Sequence, residues 1–104
     1  MGINLRRIRQ GTTWNWTTKY WEDKAKTIPK DVSSVVFEMK LYSSAGAVVS
    51  TFLNVRFVQL DTQRRKLSLS TVETTALPMG DLYFELTAVS GSETEVWIDG
   101  YVSV

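Results

Sequence analysis

Serine and threonine hydroxyls are abundant in this 104-residue chain, but no histidine exists to take their protons, because the sequence contains neither His nor Cys. A lysine can replace histidine as base only when it is desolvated, and no lysine here sits in a convincingly apolar stretch. Asp81 and Glu85 fall on one face of a single strand. At about 3.3 Å per residue they stand roughly 13 Å apart, wider than either spacing used in glycoside hydrolysis. Glu93, Glu95 and Asp99 surround a turn and read as solvated charges. No acidic calcium-loop pattern and no glycine-rich strand-to-helix turn is present, so neither a loop-bound metal nor a cradled nucleotide phosphate is indicated. The expectation is a protein with no catalytic residues and no cofactor.

The other chemistry-bearing group is Arg6, Arg7 and Arg9, followed by Trp14, Trp16, Tyr20 and Trp21. Cations interleaved with aromatic rings suit a single-stranded nucleic acid. A net charge of only +1 and an acidic C-terminal stretch oppose that reading. The same rings can fill a core or a subunit contact, since aromatics carry large burial area, or they can form a stacking platform for a carbohydrate or peptide. These seven residues are the candidate interface, with burial in a core or contact the first reading.

The elements that must position them are strands. The chain holds 28 Val, Thr and Ile residues against five Ala, a balance that favours pleated backbone over helix. Strands are expected over Ile3–Arg9, with a register break between Leu5 and Ile8, and over Thr13–Trp21, with Trp14, Trp16, Thr18 and Tyr20 on one face. Glu22–Asp31, containing Pro29, is a polar loop. Val35–Tyr42 alternates, with Val35, Phe37, Met39 and Leu41 inward, and turns at Ser43–Gly46 into Ala47–Phe52. Val55–Leu60, the turn Asp61–Arg64 and Lys66–Ser70 follow. The connection Thr71–Met79 has room for one helical turn. Asp81–Val89 places Leu82, Phe84, Leu86 and Ala88 on one face and Tyr83, Glu85 and Thr87 on the other. After Ser90–Ser92, Thr94–Val104 closes the chain, with Val96, Ile98, Tyr101 and Val104 inside and a bulge at Gly100. Seven to eight short strands at this spacing predict an all-β, Ig-like antiparallel β-sandwich.

Charge is split. Residues 1–30 carry seven cations against two acids, a net of +5, while residues 81–104 carry five acids and no cation, a net of −5. A basic first strand can pair with an acidic last strand inside one chain, or with a neighbour's, since a heterologous contact needs two complementary patches. Residues 1–10 are therefore expected as a basic arm or first edge strand reaching a neighbour, and residues 11–104 as the sandwich domain. No apolar run approaches the roughly 20 residues of a membrane-spanning helix, and no signal-peptide core is seen, so no membrane partner is expected.

From about Ile8 to Val104 the order of features resembles small Ig-like structural proteins of tailed bacteriophages. The residues that carry the resemblance are Gly11–Trp21, Val35–Gly46, Lys66–Ser70 with Glu73–Leu77, the Leu77-Pro78-Met79-Gly80-Asp81-Leu82-Tyr83-Phe84-Glu85-Leu86 run, and Ile98-Asp99-Gly100-Tyr101-Val102-Ser103-Val104. Two positions depart from the family pattern. The usual tyrosine is Leu82, with Tyr83 one place later, and the usual aspartate is Glu85. The resemblance implies a non-enzymatic virion protein, assembled in the host cytoplasm, that acts in the tail, in the baseplate or as a fibre adaptor. Its implied partners are other virion proteins and further copies of itself. A capsid decoration protein, and a carbohydrate- or receptor-binding module using exposed tryptophans, are the alternatives.

Overall fold

The computed structural model describes residues 2–104. Met1, the first residue of the expected basic arm, lies outside the described residues. Eight strands form: β1 (Gly2–Asn4), β2 (Trp14–Lys19), β3 (Val36–Tyr42), β4 (Val48–Phe52), β5 (Phe57–Gln59), β6 (Arg64–Leu69), β7 (Asp81–Ser90) and β8 (Glu93–Ser103). One short helix, α1 (Thr71–Ala76), joins β6 to β7. The strands make a five-stranded sheet in the order β1-β8-β7-β3-β4 and a three-stranded sheet in the order β2-β6-β5. The fold is all-β and sandwich-like.

The inner faces follow the period-two alternation of the sequence. Phe37, Met39 and Leu41 of β3, and Leu82, Phe84, Leu86 and Ala88 of β7, are buried. Opposite them lie Trp14 of β2, Phe57 of β5 and Leu67 and Leu69 of β6. Aromatic contacts join the two layers: Trp16 meets Phe84 edge-on at 5.6 Å and Phe37 meets Phe57 at 5.9 Å. Such pairs add to simple area burial.

One inward position of β6 holds a cation. Arg65 is only 4% exposed. Its Nη1 donates to Asn54 Oδ1 and Phe57 O, and its Nη2 donates to Val32 O, Ser33 O and Val35 O. The guanidinium lies 5.1 Å from the Phe37 ring centre. Asn54 Oδ1 also accepts from Phe37 N at 2.9 Å. Arg65 thus ties β6 to the loop that leads into β3 and to the turn that precedes β5.

That turn corrects one expectation. The strand expected over Val55–Leu60 begins instead as a 3-10 turn, Asn54–Arg56, and pairs only over Phe57–Gln59. The bonds to the Asn54 side chain draw the backbone out of the ladder, and Val55 is left 83% exposed. Arg56 then points to α1, where Nη1 and Nη2 donate to the Glu73 carboxylate at 2.6 and 2.8 Å. Glu73 also closes a capping box with Ser70, which satisfies two orphan N–H groups of this short helix.

The antiparallel expectation is corrected at one edge. β1 runs parallel to β8, with Ile3 opposite Gly100. The chain then stays beside β8: Leu5 N donates to Tyr101 O and Ile8 N to Ser103 O, and Ile8 is buried. Within the single chain, residues 2–10 therefore lie against the sandwich as its first edge. Gly100 is not a bulge. A Cβ there would stand 1.8 Å from the Ile3 carbonyl oxygen, so only glycine lets β1 approach. The bulge lies at Trp97, because Leu86 pairs Ile98 while Thr87 pairs Val96. Both Trp97 and Ile98 consequently pack on the core. Ile98 and Val104 lie inward as expected, but Val96 before the bulge and Tyr101 after it are exposed, and Val102 is buried in place of Tyr101.

Two outcomes are expected. Replacing Arg65 by Leu removes the donor to five oxygens, of which Val32 O, Val35 O and Phe57 O accept in buried bonds, and is expected to cost about 3 kcal/mol in urea unfolding, with Arg65→Lys recovering little because one ammonium cannot span them. On the acid side, bonds from Arg56 and the Ser70 backbone hold the Glu73 carboxyl down at about 2. A carboxylate lowered on folding gives stability that is full above its ordinary value and is lost as pH falls from about 4.5 to about 2. The pair is one-third exposed, so acid titration should remove on the order of 1 kcal/mol, a loss absent from Glu73→Gln.

Candidate functional site

The seven residues singled out in the sequence are divided by the fold. Trp14 is buried and its Nε1 donates to Arg6 O at 3.0 Å. Trp16 is half-buried against the core. Tyr20 is buried, stacks on Phe37 at 5.4 Å and carries a hydroxyl that makes no hydrogen bond of standard geometry. Burial pushes that phenol up to about 12. These three rings are core, so they offer no platform to a ligand. Trp21 lies beyond the end of β2 and bridges to Pro29, with Lys19 Nζ 4.9 Å from its ring centre. Arg6, Arg7 and Arg9 are exposed. Arg6 Nη2 reaches Asn15 O at 3.4 Å, and among the described residues no ion pair joins any of the three to an acid.

Trp21 shares a groove with one ring of β8. With Trp97, Lys30, Glu93 and Glu95 it lines an open groove of about 430 Å³. Lys30 Nζ lies 5.1 Å from the Trp97 ring centre, and Lys19 covers Trp21. The ring faces in this groove are thus occupied by the chain's own ammonium groups.

The more distinctive surface is the outer face of the five-stranded sheet. Register aligns Tyr42, Tyr83 and Tyr101 in one row across β3, β7 and β8. Val48 of β4 extends the row on one side and Asn4 of β1 on the other. Ring centres are 6.0 Å apart for Tyr42 and Tyr83, and 5.6 Å for Tyr83 and Tyr101, the second pair edge-to-face. The next row places Lys40, Glu85 and Asp99 opposite one another. Glu38, beside Lys40, pairs with it at 3.6 Å. The Tyr83 hydroxyl donates to Asp99 Oδ2 at 3.0 Å. Below, Ser103 Oγ donates to Asp81 Oδ1 at 2.5 Å. The outward position of Tyr83 is the one its sequence spacing implied.

Glu85 directly opposite Asp99 is a like-charge cross-strand pair, an arrangement that costs stability in an isolated sheet. Partial desolvation, the bond to Asp99 and the surrounding carboxylates together push the Tyr83 phenol up to about 12. Desolvation and the Glu85 carboxylate raise Tyr42 also. Among the described residues no group of three or more acidic side chains is arranged to hold a metal ion. The face is tyrosine-rich and carries Glu38, Glu85, Asp81 and Asp99 against Lys40. Such a face can make broad contact with a protein partner, because tyrosine gives large contact area at low entropic cost.

Comparison with protein-family models, with curated proteins and with solved structures finds no match to this chain. The arrangement of the site itself must therefore carry the functional reading.

The phenols give an alkaline test. A proton held more tightly in the folded chain gives stability that is full below the ordinary value of 10.0 and is lost as pH rises toward about 12. Denaturation curves should shift downward through that window, and Tyr83→Phe should flatten the decline and remove one late-ionising phenol from an ultraviolet titration.

Proposed function

We propose that the chain is an Ig-like β-sandwich that serves as a non-enzymatic structural component of a tailed-phage particle, in the tail or baseplate or as a fibre adaptor, and works by docking to neighbouring proteins. The Ig-like assignment is supported by strand order. With β2 to β8 taken in turn as B, C, C′, D, E, F and G, the sheets are B-E-D and C′-C-F-G, the Ig arrangement with the added C′ strand. β1 fills the first-strand position beside G. The phage assignment rests on the resemblance carried by the Leu77–Leu86 run and the Ile98–Val104 strand.

The observation that carries the docking role is the Tyr42–Tyr83–Tyr101 row above the opposed Glu85 and Asp99. Two carboxylates, flanked by Lys40 and the Tyr83 hydroxyl, and three aromatic rings share one exposed sheet face. A surface of this composition suits a protein partner. The carbohydrate reading is left with the Trp21–Trp97 groove, where the ring faces are already covered by lysines.

The test is made on particles. Mass spectrometry of purified virions of the encoding phage is expected to find the chain as a structural component. A Tyr83→Ala, Tyr101→Ala chain, folded by circular dichroism, is expected to be missing from assembled particles. Virions that lack the wild-type chain would overturn the phage assignment, and full incorporation of the double variant would overturn the docking face. Reconstruction of the particle would separate a tail or baseplate position from capsid decoration.

A further inference from the structure

We propose that β4 is a pairing edge whose occupant is β4 of a second copy of this chain, set antiparallel across a two-fold axis so that the two five-stranded sheets run on into one another. The surface is the flank of the sandwich and not its tyrosine face, so the inference goes beyond the docking role above.

Unmet backbone groups and missing charge carry the argument. β4 ends its sheet and pairs with β3 alone. Among the described residues no hydrogen bond reaches Val48–Phe52 from any other element. An open row of N–H and C=O groups is a template for another extended backbone. The other free flanks are guarded. β1 and β5 are three residues each. On β2 the Arg6 guanidinium covers Asn15 O, and Lys19 stands at the end. β4 has no such guard: Val48-Val49-Ser50-Thr51-Phe52 holds no charge and no proline. Its bulge at Val49, which packs on the core, bends the strand without ending it.

The apolar surface continues past the strand. The chain crosses from β4 to β5, an edge of the other sheet, through Leu53 and the Asn54–Arg56 turn. Leu53, Val55 and Val58 are 56%, 83% and 57% exposed. Residues 43–60 hold one charged side chain, Arg56, and Glu73 binds it. These features name the partner. Antiparallel pairing about a two-fold axis sets donors of the strand against acceptors of its copy, so the edge is its own complement. Neutral strands meet in that way with no like charges opposed. The contact uses the β4 edge of both copies and is closed at two.

Wild-type protein is followed by sedimentation velocity over a wide concentration range. The mass is expected to rise to twice the monomer and stop, and the dimer is expected to persist at about 1 M salt, where exposed charges are screened. Amide hydrogen exchange is read below and above the dimerisation range, and the open-flank amides of β4 are expected to slow by about tenfold or more in the dimer. Val48→Lys with Thr51→Lys is one variant, and Val48→Glu with Thr51→Glu is a second. Both side chains are exposed, and circular dichroism checks that each variant folds. Alone, each is expected to remain monomeric, because like charges then line both sides of the contact. Mixed, they are expected to form a one-to-one dimer. The Tyr83→Ala, Tyr101→Ala chain is expected to dimerise as the wild type does, which separates this edge from the docking face. Wild-type protein that stays monomeric, growth beyond a dimer, a dimer with unchanged β4 exchange, or a mixture that fails to associate would each overturn the proposal. So would loss of the dimer in the tyrosine variant, which would move the contact to the other surface.

Discussion

A guanidinium inside an all-β core is the constraint on which the other arrangements depend. Arg65 occupies a position that alternation reserves for an apolar side chain, and its hydrogen bonds run to five neutral oxygens rather than to a carboxylate. Removing a charge from water costs several kcal/mol unless its surroundings replace the solvent. Here the replacement comes from the Val32–Val35 loop, from Asn54 and from Phe57, with the Phe37 ring alongside. Each of those oxygens must stand where the fork can reach it. The path into β3, the 3-10 turn before β5 and the register of β6 are consequently fixed together. The turn in turn aims Arg56 at Glu73 and so anchors the short helix before β7. A core of hydrocarbon alone would fill the same space without dictating these three backbone paths.

The aromatic residues divide by chemistry. Tryptophans 14 and 16 are drawn into the interior, where their area counts most, while three tyrosines remain outside with their hydroxyls among carboxylates and water. Cross-strand alignment turns three widely separated positions into a continuous row. Because the row lies on rigid β3, β7 and β8 rather than on loops, its geometry is set before any partner arrives, which lowers the ordering cost of association.

Most of the fold was legible. The alternation in Val35–Tyr42 and Asp81–Val89 specified both strands and their buried faces, because period two has no other economical reading. The helical turn at Thr71 followed from local chemistry. Legibility failed where contacts distant in sequence decide. Nothing near Gly100 announces that a backbone from residue 3 will lie against it, so the glycine was read as a bulge. With no bulge at Gly100, plain alternation from Ile98 turns Tyr101 outward, and without that the tyrosine row could not be seen, although Tyr42 and Tyr83 were correctly placed outward. Arg65 was visible in principle: it sits two and four residues before Leu67 and Leu69, on the same face of one strand. The seven candidate residues divide between core and surface, which ring count alone cannot distinguish. Trp14 and Tyr20 are as aromatic as Tyr101 but face the other way.

The close passage of Ile3 over Gly100 also governs how far backbone pairing can spread. β8, eleven residues long, would be an open template for any extended polypeptide were it the sheet's last strand. The opening residues occupy that margin, and the three-residue ladder they present in its place is too short to seed much further pairing. On the five-stranded layer, only β4 is left with a free flank of any length. On this layer backbone pairing can therefore spread from β4 alone, and a single glycine, by admitting the opening residues, closes the other side.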